Sequence, residues 1–284
     1  MASSRAMSAL TFIPEDLAPG DRRACEAGAH LRVQVVRDPG DPLFDRLYQR
    51  LWHEFGHRNE MERRDVIVGR LARDPRDLAH GHALLYELLA ILDGDEVVGL
   101  RDHTAIVPPS DATAASTRVL VHLSHVIVEP PHRGTGLSGW LRALPLQTAR
   151  ACAAAVGRRC DAITLVGEME HPDDAPDVQA RLRSYDRAGF RKLDPRQVPY
   201  HQPDFRPAPE IDASAPRPVP LMLTLRRVGR EHERSVPAAE VRELVTGLYT
   251  LFAVHQRAEH MAPLWALRDA LPRSGNISLL PLLA

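Results

Sequence analysis

One stretch constrains this chain more than any other: Val126-Ile127-Val128-Glu129-Pro130-Pro131-His132-Arg133-Gly134-Thr135-Gly136-Leu137-Ser138. A β-branched apolar run that stops at a proline pair reads as a buried strand closing at a turn. An arginine and two glycines follow, and then an apolar helical pattern. Glycine lets the backbone adopt positive φ and approach a ligand closely. The free N–H groups at a helix start form an anion site, which the helix dipole reinforces. Arg133 adds a fixed cation at its mouth. Strand, short turn and helix start are together what a pyrophosphate needs.

Two common phosphate motifs compete for this reading. A P-loop needs a lysine that is absent here. Gly134-x-Gly136-x-x-Gly139 does satisfy the dinucleotide string Gly-x-Gly-x-x-Gly. That reading also needs an acidic residue closing a second strand about 20 residues on. The nearest candidate, Asp161, opens an apolar strand instead. The better fit is elsewhere. The run resembles the acyl-CoA signature Val-x-Pro-x-x-Arg-Gly-x-Gly-x-Gly/Ala of the GNAT superfamily, the CoA-dependent N-acyltransferases. Val128, Pro130, Arg133, Gly134 and Gly136 fall on its positions, and Ser138 replaces the last small residue.

A second segment supports the first. Leu182 to Phe190 resembles a later helix of the superfamily, which ends Leu-Tyr-x-x-x-Gly-Phe. Val178, Leu182 and Tyr185 share one helical face. Asp174 is the expected cap, Pro176 sits in the first turn and Gly189 at the C-terminal stop. Taken alone, Tyr185 also reads as a half-buried core aromatic. Between the motifs, a helix over 136–157 leads to the strand Ala162-Ile163-Thr164-Leu165-Val166 and then to an acidic loop. Leu137, Trp140, Leu141, Leu144, Thr148 and Ala151 line one face of that helix, and Pro145 predicts a kink in it.

The rest of the chain falls into place around these motifs. Residues 1–30 read as an irregular arm. Leu31 to Val36 is a strand, Leu43 to Phe55 and Ile67 to Leu71 are helices, and Leu84 to Leu100 is a hairpin turning at Asp93-Gly94-Asp95. The proline-rich stretch 194–220 reads as an irregular loop over the sheet, with a wall of the acceptor pocket as its functional reading. Val219 to Arg227 is the last strand of the core. Val241, Leu244, Val245, Leu248, Leu251 and Phe252 then form a helical stripe, followed by a shorter helix. The fold expected is α/β (α+β), a GNAT-type mixed and mostly antiparallel sheet flanked by helices. Its acyltransferase domain spans 31–228, and a helical extension over 229–284 packs on the core or at a subunit contact.

The resemblance implies acetyl transfer from acetyl-CoA to the amine of a small molecule or peptide by direct attack. It places Val126, Ile127 and Val128 along the pantetheine arm and Arg133, Gly134, Thr135, Gly136, Leu137 and Ser138 at the pyrophosphate. Tyr185 becomes the acid that protonates the leaving thiolate, and a backbone N–H where the motif strand splays steadies the thioester oxygen. Glu168 and Glu170 are the best carboxylates for a base, with Glu129 and His125 behind them. One feature of the superfamily is missing, an asparagine seven residues before the tyrosine, where this chain has Val178. A non-catalytic acyl-CoA sensor or scaffold stays open as an alternative.

A third reading comes from His53-Glu54-Phe55-Gly56-His57, which matches the zinc-hydrolase string His-Glu-x-x-His on an expected helix. No clear third ligand follows, so no metal is expected, and in the acyltransferase reading His53, Glu54 and His57 would face the acceptor. A net charge of −1 over 284 residues, with no basic stripe, argues against a nucleic-acid surface. Three widely spaced cysteines argue against a disulfide framework. No apolar run reaches membrane-spanning length, so a cytoplasmic protein with no membrane partner is expected, and a homodimer stays open.

Overall fold

The computed structural model describes residues 14–21, 30–109, 114–171 and 175–283. Among the described residues, ten strands form one mixed sheet: β1 (Arg32–Val36), β2 (Ala83–Asp93), β3 (Glu96–Val107), β4 (Ser116–Val128), β5 (Arg159–Met169), β6 (Arg191–Leu193), β7 (Tyr200–Gln202), β8 (Val219–Arg227), β9 (Ser235–Pro237) and β10 (Asn276–Leu280). Their order is β1-β2-β3-β4-β5-β8-β6-β10-β9, with β7 on β8. Every pairing is antiparallel except β4 with β5. The expected mixed, mostly antiparallel sheet is therefore present.

The strands are apolar on both sides because helices cover both faces. On one face, α1 (Pro42–Phe55) and α2 (Arg64–Ala72) pack on Leu88, Ala90 and Leu100. Beside them, α7 (Ala238–Ala253) and α8 (Ala258–Ala270) pack on Leu84, Ile106 and Leu120. On the other face, α3 (Leu137–Ala143) covers Leu89, Ile91 and Val98. There α4 (Pro145–Ala155) and α5 (Pro176–Arg187) cover Ala105, Val121 and Leu165. The alternation Leu88/Leu89/Ala90/Ile91 between the two faces is the two-residue period of a strand.

Several expectations need correcting. The helix expected over 136–157 is two helices, α3 and α4, which meet at Leu144 before Pro145. The break changes the phase of the buried face, so Ala151 is exposed while Ala149, Cys152 and Ala153 are buried. The stretch 194–220 is not wholly irregular: it carries β7 and a short helix, α6 (Ala208–Ser214). Strand β8 is not the last of the sheet, since β9 and β10 from the C-terminal extension join it through β6. The N-cap of α5 is Ala175, with Pro176 next; Asp174 lies outside the described residues. The described part of the N-terminal arm is docked. Leu17 and Ala18 are buried, Asp16 holds Arg150 at 2.5 Å and Asp21 holds Arg142 at 2.8 Å. No helix among the described residues is long and apolar enough to cross a membrane.

Candidate active site

The site is built where β4 leaves β5. The last paired residues are His122 and Val166, while β4 runs on to Val128 and β5 turns its other edge to β8 as far as Met169. From Leu123 onward β4 therefore has no paired residue in β5. On its other edge, Asp102 pairs with His125 and Thr104 with His122. Leu123 and Ser124 thus stand opposite His103 alone, a bulge that re-aims the strand just where it splays. The wedge between the strands opens into a cleft of about 170 Å³ lined by Ser124, His125, Val126, Glu168, Glu170 and Tyr185, among others.

At the far end of β4 the chain makes the turn the sequence demands. Pro130–His132 form a tight turn, Gly134 and Gly136 have φ of 78° and 94°, and α3 starts at Leu137. These are left-handed conformations that cost an L-residue with a Cβ about 1–2 kcal/mol. Gly136 is the N-cap of α3, and no side chain caps the helix start. Thr135 donates to the carbonyl of His132 at 2.6 Å, and the exposed Arg133 donates through Nε to the Val128 carbonyl at 3.1 Å. Val128 to Ser138 thus presents an uncapped helix start beside an arginine.

Tyr185 reaches the cleft from α5, across the sheet from α1. It is buried, and its hydroxyl lies 3.0 Å from Nη2 of Arg101 on β3. A guanidinium only donates, so the Tyr185 oxygen must accept from it, and the tyrosine's own proton is left free to point elsewhere. Arg142 lies over the ring at 5.3 Å. Burial alone would raise the phenol pKa, but the charges of Arg101 and Arg142 outweigh it and hold it below the usual value. Arg101 is 1% exposed, and its Nε and Nη1 have no hydrogen-bond partner among the described residues. Nothing local in the sequence marks Arg101; it becomes visible only when β3 is laid beside β4.

The opposite wall is polar and assembled from distant segments. The His125 ring has acceptors on both sides: Asp102 Oδ1 lies 2.9 Å from Nδ1 and the Glu60 carbonyl 2.9 Å from Nε2. Both nitrogens must donate, which is the charged imidazolium. Burial works against that charge, yet Asp102 beside the ring raises its pKa on balance. Burial likewise opposes ionisation of Asp102, but His125 and the Tyr86 hydroxyl hold it at about 2. His125, a reserve candidate for the base, is held in the wrong protonation state for that task.

His122, one turn of the strand deeper, is placed differently. Its Nε2 lies 2.7 Å from Glu168 Oε2 and its Nδ1 3.2 Å from the Ser124 hydroxyl, while Tyr200 donates to Glu168 Oε1 at 2.6 Å. Below it, buried Arg70 pairs with buried Glu62 at 2.6 Å. Burial raises the Glu62 pKa, partly offset by Arg70. Glu60 is raised by burial and by the neighbouring charge of Glu170. Glu170 itself is ion-paired with Arg181. Asn59 donates to Asp204 at 3.0 Å, tying the loop after α1 to the segment that brings Gln202 and Phe205 into the cleft.

Glu168, Glu170, Tyr185 and Val126 thus line one cleft. Glu129 does not line it and is paired with Arg50 at 2.8 Å. His53 and His57 also stand apart. Helix α1 ends at Phe55, so His57 lies in the following tight turn, and both imidazoles are exposed away from the cleft lining. No group of three His, Cys, Asp or Glu among the described residues is arranged to hold a metal.

No protein-family model matches the chain, and no curated protein matches it. Among solved structures it resembles GNAT-family acetyltransferases. One, from Desulfovibrio desulfuricans, is 18% identical, with a TM-score of 0.35 over 70% of this chain and 99% of that one. Another, from Elizabethkingia anophelis with acetyl-CoA bound, is 13% identical, with a TM-score of 0.34 over 70% and 98%. An aminoglycoside acetyltransferase from an uncultured soil sample, in complex with trehalose, is 13% identical, with a TM-score of 0.35 over 56% and 89%.

Proposed function

We propose that this chain is an acetyl-CoA-dependent N-acetyltransferase of the GNAT type, acting on the amine of a small molecule or peptide. The observation that carries the reading is a continuous path along β4. It begins at the Arg133–Ser138 turn, follows the unpaired edge through Val128, Ile127 and Val126, and ends in the cleft beside Tyr185. A pyrophosphate at the turn would meet the uncapped N–H groups of α3 and the Arg133 guanidinium. The pantetheine arm would lie along the free strand edge and bring the thioester to the splay.

There the chemistry divides between the two walls. The amine attacks the thioester carbonyl as its neutral form, so its proton must be removed. Glu168, hydrogen-bonded to His122, stands in the cleft to receive it. Free backbone N–H groups at the β4 splay would meet the developing oxyanion. As the carbon–sulfur bond breaks, the thiolate takes the Tyr185 proton, which Arg101 leaves free to point away from the guanidinium. Glu60 and Glu170 form an acidic wall that suits an acceptor with a second positive charge.

The test is thiol release from acetyl-CoA against a panel of mono- and diamines. We expect amine-dependent turnover, faster with diamines and lowered in Glu168→Gln by about 10²-fold or more. Acetyl-CoA binding with no amine-dependent release across the panel would point to the sensor reading.

A further inference from the structure

We propose that the cleft has a second, acceptor-independent activity, hydrolysis of the acyl thioester through an acyl ester on Ser124. The proposal rests on the acyl-CoA reading above. Its basis is the chain Ser124–His122–Glu168. Ser124 Oγ lies 3.2 Å from His122 Nδ1, and His122 Nε2 lies 2.7 Å from Glu168 Oε2. All three residues line the cleft.

The hydrogen-bond directions follow from the chemistry of the groups. A carboxylate has no hydrogen to give, so His122 Nε2 donates to Glu168. The other Glu168 oxygen accepts from Tyr200 at 2.6 Å, which fixes the carboxylate in place. In the neutral ring Nδ1 then carries the lone pair and accepts from the Ser124 hydroxyl. Nucleophile, base and orienting carboxylate are thereby in the roles that activate a serine, here with the two ring nitrogens exchanged relative to the commonest arrangement. His125, the residue after Ser124, cannot do this because both its nitrogens donate. The bulge at Leu123–Ser124 supplies the placement, since it stands the serine at the point where β4 loses β5 and the thioester would end.

The steps balance without another reactant than water. Ser124 Oγ attacks the thioester carbonyl carbon while its proton passes to His122 Nδ1. The carbon–sulfur bond breaks, and the thiolate leaves with that proton from His122, so the ring is neutral again. Water, giving its proton to His122, then attacks the serine ester. The ester carbon–oxygen bond breaks as Ser124 takes that proton back from His122, and the acid leaves. An amine in the cleft competes by taking the acyl group directly.

The experiment uses the full chain and acetyl-CoA with no amine present. Acid-quenched samples are mapped by mass spectrometry, and thiol release is followed from the first turnover. An acetyl ester on Ser124 and an initial burst of thiol support the proposal. Ser124→Ala should abolish both and slow acceptor-independent release by about 10²-fold or more, while acetyl-CoA affinity by calorimetry stays unchanged. Ser124→Cys should restore a covalent adduct, now a thioester. Wild-type rates of acceptor-independent release in Ser124→Ala, or a label on another residue, would overturn the proposal and leave the acyltransferase reading intact. Failure of the wild-type protein to bind acetyl-CoA would overturn both.

Discussion

The two walls of the cleft are made in different ways. The wall proposed to hold CoA comes from two short segments, β4 through α3 and the end of α5, each carrying its chemistry within about a dozen consecutive residues. The acceptor wall draws on Phe55 to Arg70, His122, Glu168, Gln202, Phe205, Leu221 and Phe252, spread over most of the chain. A site built from local backbone geometry can be read as a string. One built by packing distant side chains can be read only after the sheet is assembled. The walls also differ in electrostatics: Arg101 and Arg142 surround the Tyr185 phenol, whereas carboxylates and histidines dominate opposite.

The sharpest way to break this comparison is Tyr185→Phe. If the phenol is the acid, kcat should fall by about 10²–10⁴-fold while acetyl-CoA affinity holds. A loss under about threefold would make it a packing residue. Sequence alone would allow the hydroxyl to be removed with little effect on stability. The structure corrects this, because Arg101 then loses its partner. A cost of about 1–3 kcal/mol is expected for the orphaned donor, visible in denaturant unfolding and relieved in an Arg101→Met, Tyr185→Phe double variant.

On the acceptor wall, Arg70→Met strands the buried Glu62 carboxylate. Breaking such a pair from one side costs about 3–5 kcal/mol. The loss should shrink at low pH, where Glu62, already raised by burial, takes up a proton.

A smaller effect is expected at His125. Asp102 has its pKa lowered in the folded state, so its contribution is present above the unfolded carboxylate value and is lost as pH falls through about 2. His125 has its pKa raised, so its contribution is complete below the unfolded histidine value and fades as pH rises through the folded one. His125→Gln should therefore cost about 1–3 kcal/mol between roughly pH 4 and 6.5 and less above. A cost that grows with rising pH would mean the ring is neutral.

The smallest effect separates the two charge environments. Tyr185 must carry its proton to donate it, so activity falls as pH rises through its pKa, which burial raises but Arg101 and Arg142 lower on balance. Arg101→Met should move the alkaline limb of the kcat/KM profile to higher pH. A limb that stays in place would remove Arg101 from the account.

How much of this was legible follows from the same contrast. The order of the longer strands and helices from Leu31 to Arg187, the Gly134/Gly136 turn and Tyr185 above Gly189-Phe190 are readable, because periodicity and turn chemistry are local, whereas the short β6, β7 and α6 are not. The split of α3 from α4 was signalled by Pro145, but its effect on the buried face was not. Strands β9 and β10 were missed since each is short and gains its place only by pairing with distant partners. In the cleft, Glu168 and Glu170 were found by position after an apolar strand. Arg101, Asp102, His122 and Ser124 gave no signal, since in β3 and β4 they read as single polar residues in apolar runs. Conversely, His53-Glu54-Phe55-Gly56-His57 looked like a site in the string, and the helix end at Phe55 takes His57 out of register.

The central claim is that acetyl-CoA lies along β4 with its pyrophosphate on the Arg133–Ser138 turn. Gly136 is a poor probe of it, because its φ of 94° would strain any β-branched substitute and test the fold as well. Arg133 is exposed and its side chain bonds only to the Val128 carbonyl among the described contacts. The direct measurement is calorimetric titration of acetyl-CoA into the wild-type protein and Arg133→Ala. Saturable binding is predicted, weakened about 10–100-fold by loss of one charge-assisted contact of about 1.5–3 kcal/mol, with no change in thermal unfolding of the free protein. Absence of saturable binding in the wild type, or equal affinity in Arg133→Ala, would contradict the account.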